Sequence, residues 1–273
     1  MLKGVTQRQV RKLLGGVPGE PFDDDVVLEE PLEIRVTGET LAITMRTPGA
    51  DRELAAGFLL SEGVIARRDD LGSIVHCGRP GEEGYGNVID CTPGAGISLD
   101  IDRVSATRRG TLTTAACGVC GRRTVSDVLE RCPVLKLDSA TIASATIAQA
   151  VAGLRARQPN FARTGGIHAA ALCSEDGAVL ASFEDIGRHN ACDKVIGSLL
   201  LKDTLAQARL LVVSGRASFE VIQKAATARV RVVASVSAAS SLAIDLAQAS
   251  GVTLCGFVRD GSMTVYTHPA RLA

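Results

Sequence analysis

The sequence predicts a mixed α/β protein in which a small α+β unit precedes a layered α/β unit. From Gly166 onward, strand-like and helix-like apolar patterns alternate along the chain. Two nearly continuous apolar runs, Leu210–Val213 and Val230–Val236, are typical of strands that are covered on both faces. With 273 residues, of which 46% are hydrophobic, the chain is long enough to bury a sizeable core.

The first hundred residues predict an arm, a strand pair and a helix in that order. Residues 1–25 are basic and glycine-rich and then acidic, without a sustained apolar period, so we expect a loosely ordered arm. Apolar and polar residues alternate over Val26–Met45, with a break at Thr37-Gly38, which predicts two strands joined by a turn. The apolar residues of Asp51–Glu62 recur at helical spacing, which predicts an amphipathic helix.

Three shorter strands complete the small α+β unit, which we place at residues 26–104. They are predicted at Ser73–Cys77, Asn87–Cys91 and Gly96–Ile101, with glycine-rich turns between them. Residues 105–123 show neither period and are predicted to form a mobile, exposed loop, where functional residues often lie.

Helices and strands alternate through the predicted layered unit, residues 124–273. The predicted helices are Thr124–Arg131, Thr141–Gln158, Asn190–Lys202, Ser218–Arg229 and Ser240–Ser250. The predicted strands are Ile167–Cys173, Ala178–Phe183, Leu210–Val213, Val230–Val236 and Val252–Phe257. Open sheets of this kind bind ligands at the carboxyl ends of their strands, so the turns that follow these strands are the first candidates for a site.

Composition narrows the classes of function. Basic and acidic residues both number 30, so no overall field indicates a nucleic-acid or membrane-surface binder. Aromatic residues make up only 3% and tryptophan is absent, which disfavours a stacking platform for single-stranded nucleic acid. No apolar run reaches the roughly 18 residues of a membrane helix, and no secretory signal is recognisable, so the expected location is the cytoplasm. There the eight cysteines should remain mostly reduced.

Cys117 and Cys120 form a CxxC motif inside the predicted loop. The stretch 103–123 around them contains five arginines and no acidic residue. Nearby positive charge favours the thiolate, which is the nucleophilic form of cysteine. The motif therefore predicts sulfur or redox chemistry.

The cysteine pair has two alternative interpretations. Structural zinc needs four ligands, and the chain offers neither a second CxxC nor an HxxxH motif, while the arginines would repel a divalent cation. No metal site is therefore predicted, although a zinc module remains an alternative. A thioredoxin-like pair would lie at the start of a helix after a strand, whereas Gly118 and Gly121 indicate a mobile loop.

A second cluster of ionisable residues lies between a predicted strand and a predicted helix. Asp185, His189 and Asp193 are four residues apart, so a helix through them would align them in one polar stripe. The alternative is a solvated helix face with ordinary ion pairs. Gly187 permits a tight turn, which would place Arg188 and His189 at the carboxyl edge of the sheet.

Two further turns carry arginine. Ser214–Glu220 joins a strand to a helix, and its backbone N–H groups, Ser218 and Arg216 suit an anion such as phosphate, although the single glycine is a weak signal. Phe257–Ser262 follows the last long strand, and its Asp-Gly pair is also what an ordinary hairpin would show. We expect these turns and that of Arg188 to converge at one edge of the sheet, with enough positive charge for a pyrophosphate. His168 and His268 are expected to be structural or surface residues.

Several blocks of the sequence, in order, resemble the formate dehydrogenase accessory sulfurtransferases called FdhD. The resemblance runs from about Val26 to the C-terminus. The blocks are Cys117–Gly121, Gly165–Ala171, Glu184–Asn190 with Asp193-Lys194, Ser214–Glu220, Gln223–Ala225, Ser241–Ala243, Leu254–Phe257 and Thr264–Pro269.

The resemblance implies a sulfur carrier. Such a protein receives persulfide sulfur from a cysteine desulfurase and transfers it to the molybdenum cofactor before the cofactor enters formate dehydrogenase. Cys117 is then the persulfide carrier and Cys120 assists it. The bound substrate is Mo-bis(molybdopterin guanine dinucleotide), contacted by the segment Phe257, Val258, Arg259, Asp260, Gly261 and Ser262. The arginine turns suggest that Arg216, Ser218 and His189 also bind it.

The resemblance also carries expectations about fold and assembly. It implies a homodimer and a C-terminal unit that looks like the cytidine deaminase fold. The HxE and PCxxC zinc ligands of deaminases are missing, so neither deamination nor zinc is expected. The alternative function is a non-catalytic chaperone that binds the molybdenum cofactor for formate dehydrogenase while the cysteines merely touch it.

Overall fold

The computed structural model describes residues 4–79, 81–82, 85–99, 132–136 and 140–273. Within these ranges the chain forms a two-stranded, a four-stranded and a six-stranded sheet. The predicted loop 105–123, the predicted helix Thr124–Arg131 and the end of the predicted strand Gly96–Ile101 lie outside them. No helix in the described ranges is both long and apolar enough to cross a membrane.

The N-terminal segment forms a hairpin of two antiparallel strands, β1 (Val5–Leu14) and β2 (Val17–Val27). Regular strands thus occur where the sequence analysis predicted a loosely ordered arm. Most side chains of both strands are exposed, and polar residues face each other across the pair, as in Arg8 opposite Asp24. An exposed strand pair shows no alternation of apolar and polar residues, so the sequence pattern did not predict these two strands.

The four-stranded sheet has the order β4-β3-β6-β5. Its strands are β3 (Glu30–Val36), β4 (Glu39–Arg46), β5 (Leu71–His76) and β6 (Val88–Pro93). The predicted turn at Thr37-Gly38 is confirmed, and both residues have positive φ. The predicted helix is also confirmed as α1 (Asp51–Ser61). No strand forms over residues 96–99, because the chain turns at Gly96, where φ is 73°.

The six-stranded sheet has the order β12-β11-β10-β9-β7-β8. Its strands are β7 (His168–Cys173), β8 (Val179–Asp185), β9 (Leu210–Val213), β10 (Val232–Ser235), β11 (Thr253–Arg259) and β12 (Ser262–Val265). Strands β9, β10 and β11 are parallel, while β7 is antiparallel to both β9 and β8. Strands β8 to β11 thus end at one edge, which we call the carboxyl edge.

Five helices accompany the six-stranded sheet in the described residues. They are α2 (Ser144–Arg155), α3 (Pro159–Thr164), α4 (Arg188–Leu201), α5 (Phe219–Thr227) and α6 (Ser241–Ser250). Leu210 and Val212 pack with α2 on one face, whereas Leu211 and Val213 pack with α4 to α6 on the other. The prediction that β9 is covered on both faces is confirmed, as is the mixed α/β class.

The two larger sheets share one core through the crossing of α1 and α4. A Cβ atom on Gly57 would collide with the carbonyl oxygen of Asp193, and one on Gly197 would collide with that of Glu53. The two helix backbones therefore touch. One continuous cluster of buried apolar side chains runs from Leu32 in β3 to Leu254 in β11. The position of α4, which begins at the carboxyl edge, is thus fixed from both sides.

Candidate functional site

The carboxyl edge brings together the three arginine turns that the sequence singled out. Arg188 follows β8, Arg216 follows β9, and Arg259 ends β11, and these three strands run in the same direction. Arg216 and Arg259 are exposed, and Arg188 is half-buried. The Nε atom of Arg188 is buried, and none of the described groups accepts a hydrogen bond from it. A donor in this state is suited to an anionic ligand.

Asp185 fixes the turn that carries Arg188. Its carboxylate is fully buried and accepts hydrogen bonds from Gly187 N at 2.8 Å, Asn190 Nδ2 at 3.0 Å and Thr47 N at 3.2 Å. Lys194 Nζ forms an ion pair with it at 2.6 Å. Burial raises the pKa of Asp185, while the Lys194 ammonium and these donors favour its charged form. The turn is therefore held rigidly by groups from β8, α4 and the segment after β4.

The predicted polar stripe is only partly correct. Asp185 ends a strand, whereas His189 and Asp193 lie on α4, which begins at Arg188. The alternative of a solvated helix face is wrong, because all three residues are buried. Asp193 contacts Lys224 Nζ at 2.8 Å and Ser61 Oγ at 2.9 Å. Burial raises the pKa of Asp193 and the Lys224 ammonium opposes this.

His189 lies between the first turns of α4 and α5. Its Nε2 atom is 3.1 Å from Ser218 Oγ, and Ser218 immediately precedes α5. The same Nε2 is 3.5 Å from Glu220 Oε2. Burial alone would raise the pKa of Glu220, but hydrogen bonds from His189, its own backbone amide and Ser218 lower it to about 2. Two of the predicted ligand residues, His189 and Ser218, are thus in direct contact.

The structure also places His168 at the carboxyl edge, which the sequence analysis missed. His168 begins β7 opposite Asp185 in the antiparallel pair with β8. A Cβ atom on Gly215 would lie 3.1 Å from His168 Nδ1, so the ring packs on the turn after β9. Burial lowers the pKa of His168, and the neighbouring Arg188 and His189 lower it further. This position follows from the antiparallel pairing of β7 with the strand of Asp185, which no local sequence pattern shows.

Hydrogen bonds of the Ser235 side chain and of the backbone connect the turns after β9 and β10 with β11. Ser235 Oγ lies 2.7 Å from the carbonyl oxygen of Gly215 and 3.0 Å from that of Ser237. The carbonyl of Ser237 also accepts a hydrogen bond from Phe257 N at 3.0 Å. Any Cβ on Gly256 would lie 3.1 Å from this oxygen, so glycine permits the close approach. The turn of Arg216 and the segment of Arg259 are therefore parts of one backbone platform.

The segment from Phe257 to Ser262 forms the predicted Asp-Gly hairpin between β11 and β12. Asp260 and Gly261 have φ of 50° and 75°, as such a turn requires. Five of its six residues are exposed, namely Phe257, Arg259, Asp260, Gly261 and Ser262. The side chain of Val258 is fully buried in the core, so only its backbone is accessible to a ligand.

The predicted carriers Cys117 and Cys120 lie outside the described residues. The described cysteines are Cys77, Cys91, Cys132, Cys173, Cys192 and Cys255. Burial raises the pKa of Cys91, Cys192 and Cys255 to about 12 and that of Cys173 to about 11, so these thiols remain neutral and unreactive. Within the described ranges, no cluster of His, Cys, Asp and Glu could hold a metal ion.

Comparison with known proteins gives consistent matches over nearly the whole chain. Residues 27–273 match the model of the FdhD/NarQ family. The chain is 54% identical over 261 residues to the "Sulfur carrier protein FdhD" of Anaeromyxobacter dehalogenans strain 2CP-1, covering 93% of this chain and 90% of the relative. It is 49% identical over 260 residues to the protein of the same name from Mycobacterium tuberculosis strain H37Rv, covering 91% and 92%.

A solved structure shows the same fold. The crystal structure of a formate dehydrogenase accessory protein from Desulfotalea psychrophila superposes with a TM-score of 0.77 at 23% sequence identity. The match covers 99% of this chain and 100% of that one. The likeness to cytidine deaminases is not confirmed by these matches and stays a prediction.

Proposed function

This chain belongs to the FdhD/NarQ family, and we propose that it is a sulfur carrier that transfers sulfur to the molybdenum cofactor for formate dehydrogenase. Sulfur arrives from a cysteine desulfurase and is held on Cys117 as a persulfide, with Cys120 assisting. The acceptor is Mo-bis(molybdopterin guanine dinucleotide), bound as substrate at the carboxyl edge. The names of the relatives support the sulfur-carrier role. We expect a cytoplasmic homodimer that acts as a sulfurtransferase.

The convergence of three arginine turns at the carboxyl edge is the observation that carries the cofactor part of this proposal. A guanine dinucleotide presents phosphate groups, which arginine binds through charge-assisted hydrogen bonds. Helices α4 and α5 both begin at this edge, so the positive ends of their dipoles face the same region. The buried Nε of Arg188 offers a further donor. Exposed Phe257 provides an apolar surface beside them.

The proposed sulfur step needs no outside oxidant. The Cys117 thiolate attacks the outer sulfur of the desulfurase persulfide, whose S–S bond breaks as a new S–S bond forms on Cys117. The desulfurase cysteine leaves as a thiolate. The five arginines between residues 103 and 123 favour the attacking thiolate of Cys117.

Mass spectrometry after incubation with a cysteine desulfurase and cysteine tests the sulfur-carrier proposal. We expect an added sulfur atom on Cys117 in the wild-type protein and none there in the Cys117→Ala variant. The matched control is Cys77→Ala, which removes a half-buried cysteine outside the motif and should leave the adduct in place.

An unmodified wild-type protein would contradict sulfur carriage. If that protein still bound a guanine nucleotide, it would be the non-catalytic cofactor chaperone of the alternative hypothesis. Stoichiometric zinc in the purified protein would instead identify the cysteine pair as part of a structural metal site.

A further inference from the structure

Glu220 contacts His189 at the carboxyl edge, and the proposed function assigns no role to this glutamate. Its side chain is 12% exposed and lies in the first turn of α5, with Oε2 3.5 Å from Nε2 of His189. The side chain of His189 is 9% exposed and belongs to the first turn of α4. An acidic residue therefore lies inside an edge that is otherwise rich in arginine and histidine.

The carboxylate of Glu220 is ionised over the whole range in which a histidine titrates. Burial disfavours its charge, but hydrogen bonds from His189, its own backbone amide and Ser218 outweigh burial and lower its pKa to about 2. The start of a helix also favours negative charge. An ionised carboxylate can only accept hydrogen bonds. The imidazole nitrogen that faces it must therefore carry a hydrogen.

That requirement fixes the state of Nε2 in His189. A neutral imidazole has one protonated nitrogen, and the hydrogen bond made by one nitrogen determines which tautomer is present. Here Nε2 faces the Glu220 carboxylate, and it also lies 3.1 Å from Ser218 Oγ, which can accept a hydrogen bond as well. A protonated Nε2 can donate to either oxygen, so this tautomer satisfies the contacts of the ring with both neighbouring helices.

The remaining charges around His189 are already paired or repel the ring. Asp185 pairs with Lys194, and Asp193 pairs with Lys224. Arg188 precedes His189 in the first turn of α4, and these two residues lower the pKa of the neighbouring His168. Among the described acidic residues, Glu220 is the one whose carboxylate contacts the His189 ring.

We propose that Glu220 is a positioning residue, which holds Nε2 of His189 protonated and keeps His189 and Ser218 in place for a guanine-nucleotide phosphate. The inference rests on the proposed function, because that function makes the carboxyl edge the nucleotide site. It predicts that the negative charge of Glu220 assists the binding of an anion. If Glu220 only repelled the anion, removing its charge would strengthen nucleotide binding. If Glu220 is a positioning residue, removing its charge weakens nucleotide binding.

The decisive variant is Glu220→Gln, because an amide can donate as well as accept a hydrogen bond. We expect the affinity for GDP, measured by calorimetry, to fall about three- to tenfold, which corresponds to about 0.7 to 1.4 kcal/mol. The matched control is Glu39→Gln, at an exposed glutamate at the start of β4, which should bind GDP like the wild type. Glu220→Asp retains the carboxylate and should recover part of the affinity.

Nitrogen-15 NMR of the ligand-free protein reports the tautomer directly. The chain has only four histidines, so a His189→Gln variant assigns the signal. With the ring neutral, we expect Nε2–H in the wild type and in Glu220→Asp, and a mixture with Nδ1–H in Glu220→Gln. A ring that stays Nε2–H in Glu220→Gln, or a GDP affinity that is unchanged or tighter, would overturn the positioning role.

These measurements separate the inference from the function on which it rests. If the wild type does not bind GDP, the proposed nucleotide site fails, while the NMR signal still tests whether Glu220 sets the tautomer of His189. If Glu220→Gln does not fold, Glu220→Ala gives the same two readouts, because it also removes the carboxylate that faces Nε2 of His189. If the neutral ring of His189 in the wild type shows no Nε2–H signal, the inference is contradicted.

Discussion

The ion pair between Lys194 and Asp185 holds the turn that carries Arg188. Both side chains are almost completely excluded from solvent, and Lys194 Nζ also donates to the carbonyl oxygen of Thr47 at 2.8 Å. Removing one partner of a buried pair leaves the other as an uncompensated charge. The stability of the fold and the shape of the carboxyl edge therefore depend on the same contact.

Lys194→Met should destabilise the protein strongly, because it leaves Asp185 buried without its counter-ion. We expect a loss of about 3 to 5 kcal/mol in the free energy of unfolding, measured by chemical denaturation. Lys202→Met, at an exposed position at the end of the same helix, is the matched control and should change stability little. Equal stabilities for the two variants would show that the buried pair is dispensable.

Glu220 should also make stability depend on pH. Its pKa is lowered from 4.5 to about 2 in the folded protein, so its contribution is fully present above about pH 4.5 and disappears as the pH falls towards 2. Glu220→Gln lacks this titration. The wild type should therefore exceed the variant in unfolding free energy near neutral pH, and the difference should shrink in acid. A difference that is independent of pH would contradict the low pKa.

Residue patterns predicted part of this site and missed the rest for a physical reason. Arg188, Arg216 and Arg259 were predictable, because each lies at or just after the end of a strand and parallel strands end at one edge. His168 and Glu220 were not singled out, since their importance comes from partners on other elements. A contact such as that between His189 and Glu220 depends on how two helices pack, which local pattern does not encode.

At the scale of elements, the crossing of α1 and α4 positions the site. Gly57 and Gly197 allow the two helix backbones to touch, because any larger residue would meet a carbonyl oxygen of the facing helix. The first turn of α4 carries Arg188 and His189. A shift of this helix would therefore move ligand residues at the carboxyl edge.

Gly197→Ala should destabilise the protein, although alanine is normally preferred over glycine within a helix. Overpacking of this kind costs about 1 to 3 kcal/mol. The matched control is Gly153→Ala in α2, where the added methyl group meets no atom within 4 Å. That substitution should stabilise by about 0.5 to 1 kcal/mol. Thermal unfolding of both variants checks whether their stabilities change in opposite directions. A stabilised Gly197→Ala variant would refute the close crossing of α1 and α4.

The accuracy of the predicted elements follows the strength of the apolar signal. Strand β9 was predicted correctly, because all four of its residues are buried. The hairpin of β1 and β2 was missed, since most of its residues are exposed and its apolar residues do not alternate with polar ones. Helix α4 begins at Arg188 rather than at the predicted Asn190, because Gly187 has an extended backbone and is its N-cap residue. The ends of helices and strands are often polar, so apolar periodicity does not locate them.

At the scale of the whole molecule, the fold concentrates positive charge that composition conceals. Basic and acidic residues are equal in number, yet the strand order brings Arg188, Arg216 and Arg259 to one edge. The balanced composition gave no reason to expect a general polyanion binder, and it could not show this local arrangement. Binding there should weaken as salt concentration rises, because exposed charges such as Arg216 and Arg259 are screened.

Calorimetric titration with GDP is the most direct test of the carboxyl edge as the site of the cofactor's nucleotide. We predict saturable binding by the wild type and a loss of affinity of about tenfold or more in Arg216→Ala and in Arg259→Ala, since each removes a charged hydrogen-bond donor worth about 1.5 to 3 kcal/mol. Arg52→Ala, at an exposed arginine on α1, should bind like the wild type. Wild-type affinity in both edge variants, or no binding of GDP by the wild type, would contradict the proposed site.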